Sequence, residues 1–135
     1  MDETKDEKQS ASAGAPQKQM QLSTKLAEAS AVEAEGWAEK SESTTLKSKA
    51  EYALRKVMRS GGYAMMCAAI VEQTNADGEV RKLFNGPGQR ATTALLRAGQ
   101  AYLKAGGTEP ELQGIADEIL GVGVMKQNAP KVLGG

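Results

Sequence analysis

The chain of 135 residues has room for one domain, and its 17 basic and 17 acidic side chains cancel, which excludes a histone-like or heparin-like polycation. Apolar residues make up 40% but aromatics only 4%, so the core has to be built from Leu, Met, Ile, Val and much Ala, a set that suits packed helices better than a sandwich of sheets. With no histidine and a single cysteine, Cys67, the chain has no side chain that ordinarily titrates near neutrality, no serine–histidine pair, no Cys/His zinc site and no internal disulfide.

Residues 1–19 mix charges of both signs with Ser, Gly, Pro and Gln and hold no large apolar side chain after Met1. Such a segment cannot offset the entropy lost on ordering and reads as a disordered polar tail. A helical domain is expected over residues 20–125, followed by a loosely ordered extension over 126–135 that contains Pro130 and two terminal glycines.

The first helix is expected from Met20, with Leu22, Leu26, Ala29 and Trp37 as its apolar stripe and Ser23 as a cap. Glu33 falls inside that stripe. A carboxylate there predicts a weakly docked helix or one that meets a basic partner. Gly36 and the polar run 41–45 end it near residue 40.

The second helix should start at Thr44 or Thr45 and bury Leu46, Ala50, Ala53, Leu54 and Val57. Lys49, Tyr52, Arg55, Lys56 and Arg59 share its opposite arc, the clearest positive surface in the sequence and a candidate contact for an anion or nucleic acid. Gly61-Gly62 is expected to interrupt or bend the helix. The nine residues Tyr63–Val71 that follow are apolar or weakly polar on every face, so they are either surrounded by the domain or half covered by a partner. Cys67 lies within them and reads as a buried thiol.

Residues 73–79 have turn chemistry at Asn75, Asp77 and Gly78. They do not form a calcium loop, because the acidic residues required at its first and last positions are replaced by Gln73 and Phe84. Val80–Phe84 is compatible with a strand or a helical turn, and Asn85-Gly86-Pro87-Gly88 is expected to stop whatever precedes it. The third helix is then placed at 89–105, where its first turn and Arg90 offer at most a weak anion contact. Gly106-Gly107 ends it, and Thr108 with Glu111 forms a capping box for a fourth helix that buries Leu112, Ile115, Ala116 and Ile119, with Asp117 and Glu118 facing solvent.

The expected fold is an all-α bundle of four or five helices with a disordered N-terminal tail. The longest apolar run, nine residues, is far short of the roughly 20 needed to cross a bilayer, and no secretory signal opens the chain. A soluble protein of the cytoplasm or another reducing compartment is expected, without membrane insertion, metal or cofactor.

Trp37, Tyr63, Met65 and Met66 are the candidate protein-contact residues, since aromatics and methionine are enriched at interfaces and scarce aromatics stand out here. The favoured function is a non-enzymatic structural or protein-interaction subunit of a homo-oligomer or larger assembly, paired with itself or with a protein of acidic surface. The alternative is a nucleic-acid-associated protein that uses the basic arc of the second helix.

Overall fold

A computed structural model describes the backbone of residues 2–121 and the side chains of residues 20–121. The tail expected over 1–19 lies outside the described side chains, and the extension over 126–135 lies outside the described residues. Every regular element among the described residues is a helix: α1 Asp2–Glu42, α2 Lys47–Gln73, α3 Gly78–Lys104 and α4 Glu109–Ile119. The expected all-α bundle is what forms.

Three of these helices carry the core, and each does so with the same spacing. Buried positions on α1 include Ala27, Ala31, Ala34, Ala38 and Ser41; on α2 they include Ala50, Leu54, Val57, Gly61 and Ala64; on α3 they include Phe84, Gly88, Ala91, Leu95, Ala98 and Tyr102. Alternating steps of four and three are the heptad pattern that keeps one seam of a helix facing its neighbours. Connections of four residues, 43–46 and 74–77, turn α1 into α2 and α2 into α3. The result is an up-down-up bundle in which α1 and α3 run parallel and α2 runs against both.

The inner face of α1 consists of alanine and serine, not of the expected Leu22, Leu26, Ala29 and Trp37. Leu22 and Leu26 are exposed, Trp37 is half-buried on the flank, and Glu33 faces outward, so no carboxylate interrupts the seam. Small side chains let helix axes approach closely, and the large apolar residues of α1 are displaced to its outer side. Periodicity weighted by side-chain size therefore picks the wrong phase.

Glycine serves the same close approach. Gly61 stands where a Cβ would lie 3.0 Å from Ala34 and 3.4 Å from Ala91, at the meeting of all three helices. The double glycine does not interrupt α2, which is continuous over 27 residues. Beside it, the Ser30 hydroxyl of α1 donates to the Ser60 carbonyl and accepts from the Ala64 N–H at 3.2 Å, the two backbone groups that close one turn of α2.

The expected stop at Asn85–Gly88 is also absent, because α3 runs through it with Pro87 inside. Proline in a helix interior loses one backbone bond and costs about 3 kcal/mol. Pro87 and Gly88 are both buried, and a Cβ on Gly88 would stand only 2.4 Å from that of Ala68, so α2 and α3 approach each other here too closely for a side chain. Gly86, lacking a Cβ, relieves the clash that proline imposes on the residue before it. Val80–Phe84 accordingly belongs to α3, and no helix begins at residue 89.

The second helix starts at Lys47, later than Thr44 or Thr45, because the Thr44 hydroxyl accepts from the Leu46 N–H within the connection. Asn75 adopts φ 51°, which places the α2–α3 turn where turn chemistry predicted it. The capping box of α4 forms as expected: the Thr108 hydroxyl accepts from the Glu111 N–H at 3.3 Å and the Glu111 carboxylate accepts from the Thr108 N–H at 3.1 Å. Leu112, Ile115 and Ala116 are buried and Ile119 only half-buried, whereas Asp117 is half-buried and one of its oxygens is enclosed without a partner, a correction to its expected solvent-facing place.

Candidate functional site

Charge pairing separates the basic side chains into two groups. On α3, Arg90 and Arg97 lie one heptad apart and each clamps a glutamate of α1 with two nitrogens, Glu35 and Glu42. The Arg97 guanidinium hydrogen-bonded to Glu42 holds that carboxyl below its usual range. Lys47 meets Glu111 at 2.8 Å, and Arg55 meets Glu118 at 2.5 Å and Glu51 at 3.4 Å, fastening α4 along α2. Hydrogen bonding to Glu111 raises the Lys47 pKa and lowers that of Glu111. Such exposed pairs add little stability singly, and their main effect here is to fix which helices are neighbours.

The basic arc expected on α2 is therefore divided. Arg55 is committed to α4, which removes it from an open anion surface. Lys49, Lys56 and Arg59 have no carboxylate within ion-pair distance among the described residues, and neither does Lys40 of α1. Arg90, the proposed anion contact of the third helix, is occupied by Glu35.

Around the unpaired lysines the structure assembles what sequence reasoning had assigned to two separate surfaces. Trp37 of α1 lies against Tyr52 of α2, ring centroids 5.6 Å apart and planes at 74°, edge to face. The Lys40 ammonium is 4.2 Å from the indole centroid, and that of Lys56 is 5.9 Å from the indole and 5.4 Å from the Tyr52 ring. These are cation–π distances, at which an ammonium group is attracted to the negative face of the ring. Trp37, Lys40, Ser43, Thr44, Ser48, Lys49 and Tyr52 line an open cleft of about 430 Å³ beside the α1–α2 connection. Lys40, Ser43, Thr44 and Ser48 escape a reading confined to one helix; the clue to Lys40 was its position three residues after Trp37.

The other expected contact residues scatter. Met65 is 4% exposed and belongs to the core, because it continues the inner row of Leu54, Met58 and Gly61. That takes it out of the proposed protein-contact surface. Tyr63 is half-buried and Met66 exposed, both on α2 away from Trp37. The segment Tyr63–Val71 is thus not surrounded on all sides: Ala64, Met65 and Val71 face inward, while Met66 and Ile70 face out. Leu22 and Leu26 of α1 are 58% and 49% exposed, and Met66 and Ile70 of α2 are 46% and 47% exposed. Because Ser30 is level with Ala64 in antiparallel helices, these two i, i+4 pairs stand at the same height, at the far end of the bundle from the cleft.

Cys67 is half-buried, and burial raises its thiol pKa, which disfavours the nucleophilic thiolate. Among the described residues no three His, Cys, Asp or Glu side chains stand close enough to hold a metal ion, and no helix is long and apolar enough to cross a membrane. The chain matches no family model, and neither the curated proteins nor the solved structures contain a match to it.

Proposed function

We propose that this protein is a non-enzymatic structural subunit that associates with further copies of itself through the outer side of α1 and α2. The observation that carries this reading is the inversion of α1: alanines and serines fill its seam while Leu22 and Leu26 are exposed, level with exposed Met66 and Ile70 on α2. These four large apolar side chains are about half exposed, which forfeits about half of the roughly 1.5–3 kcal/mol that full burial of each would give. A second copy meeting this face would recover part of it, and interface cores are built from such side chains. The absence of histidine from the chain argues in the same direction, since it removes the commonest general acid–base group.

Light scattering over a wide concentration range tests the reading. The expected outcome is a mass that rises above that of the single chain with concentration. A constant single-chain mass would remove self-association.

A further inference from the structure

We propose that the cleft between α1 and α2 binds single-stranded nucleic acid, its phosphates meeting Lys40, Lys49 and Lys56 and a base packing on the Trp37–Tyr52 pair. The inference does not depend on self-association, because Leu22, Leu26, Met66 and Ile70 lie at the other end of the bundle.

Three features point to this ligand. First, positive charge without a carboxylate partner gathers in the cleft, at Lys40 and Lys49, and beside it, at Lys56 over the Tyr52 ring. Lys40, Lys49 and Lys56 lack a carboxylate within ion-pair distance among the described residues, and the neighbouring Arg59 lacks one as well. The acids nearest in sequence do not fill it: Glu51 is turned to Arg55, Glu35 and Glu42 are clamped by Arg90 and Arg97, and the charge of Glu39 acts on Arg97. Second, the cations surround aromatic rings. Tyr52 is 56% exposed and Trp37 half-buried. Single-strand binders combine a positive groove with aromatic faces on which any base can stack.

Third, the residue types distinguish a phosphodiester chain from an acidic protein. Where this molecule binds carboxylates across helices, the two-point contacts are made by arginine, at Arg90–Glu35 and Arg97–Glu42. The cleft instead presents lysine point charges with the hydroxyls of Ser43, Thr44 and Ser48, and a peptide carboxylate gains nothing from the two rings. A lysine ammonium meets phosphate as a point charge without demanding a planar fork.

Trp37 is the only tryptophan in the chain, so its fluorescence reports directly on the cleft. The full chain is titrated at low salt with an oligothymidylate of about twelve residues, a length within the range one small domain covers. Quenching is expected, with a log–log dependence of affinity on salt of slope about −2 for three phosphate contacts. The variant Lys40→Gln/Lys56→Gln should weaken binding at least about tenfold and flatten the slope, each lost lysine removing about 0.7 from it. Tyr52→Leu should weaken binding and leave the slope unchanged, which keeps stacking testable should the double variant fail to fold. Lys25→Gln/Lys82→Gln, at exposed lysines away from the cleft, should change affinity less than twofold. No quenching at low salt overturns the proposal. So does equal or tighter binding of polyglutamate of matched length, which would assign the cleft to an acidic protein, or an equal loss in the Lys25/Lys82 variant, which would reduce the attraction to overall charge.

Discussion

Gly88 of α3 lies so close to Ala68 of α2 that a Cβ on the glycine would stand 2.4 Å from the alanine Cβ. The contact explains why a stretch of sequence with every mark of a loop is helical. It also means that glycines in this chain divide by what a methyl group would meet.

Gly88→Ala should therefore destabilise the protein by about 1–3 kcal/mol, overpacking outweighing the gain of about 1 kcal/mol in helix propensity. Gly36→Ala, in α1 with nothing within 4 Å of its Cβ, should stabilise by about 0.5–1 kcal/mol. Urea unfolding of the two variants reads both signs. Stabilisation by Gly88→Ala would show that α2 and α3 are further apart than described.

Tyr102 is fully buried, and its hydroxyl has no hydrogen-bond partner within the protein. Burial first, and then the nearby Glu111 carboxylate, raise its pKa, but no hydrogen bond of good geometry joins the two groups. Tyr102→Phe should consequently raise stability by about 1 kcal/mol, the cost of an unsatisfied buried polar group being relieved while the ring keeps its packing. A loss of similar size in the same unfolding measurement would mean that the hydroxyl is bonded.

Thr108→Ala removes the cap of α4 and should cost about 1 kcal/mol. Because α4 is only 11 residues long and is fastened to α2 through Lys47–Glu111 and Arg55–Glu118, the loss should appear first in α4. Amide exchange should quicken in 109–119 before it does in α2 or α3. Uniform acceleration across the helices would contradict this order.

Both Glu42 and Glu111 have carboxyl pKa values below the ordinary 4.5. A group that binds its proton less readily in the folded state stabilises that state above the unfolded pKa and ceases to do so as pH falls through the folded value. Stability should thus be flat from neutrality down to about pH 5 and decline below about 4.5. In Arg97→Gln the Glu42 contribution disappears and the decline should be shallower. A steeper acid loss in that variant, followed by thermal unfolding across the pH series, would reverse the assignment.

How much of this was readable in the sequence depends on the kind of signal. The capping box at Thr108, the turn at Asn75 and the inner row Leu112, Ile115 and Ala116 follow from local chemistry, and the structure places them as expected. The heptad of alanines on α1 was hidden because small residues contribute little to an apolar stripe, and Leu22 and Leu26 dominate it from the wrong side. At Gly61 and Pro87 helix-breaking propensity gave way to packing, which only the partner helices reveal: Ala34 and Ala91 around the first, α2 against the second. The cleft was half visible, as a basic arc and a conspicuous tryptophan on different helices. Their union depends on the antiparallel register of α1 and α2, and the withdrawal of Arg55 depends on Glu118 of α4, more than 60 positions along the chain.

The outer side of α1 and α2 is proposed as an interface and not a solvent face. Sedimentation velocity of the wild type and of Leu26→Ser/Ile70→Ser, over matched concentrations and with helicity checked by circular dichroism, tests it directly. Both positions are exposed, so the fold should persist in the variant. The wild type should show a sedimentation coefficient that rises with concentration, and the variant should stay at the single-chain value. A wild type that sediments as a single chain throughout, or a variant that associates just as strongly, would contradict it.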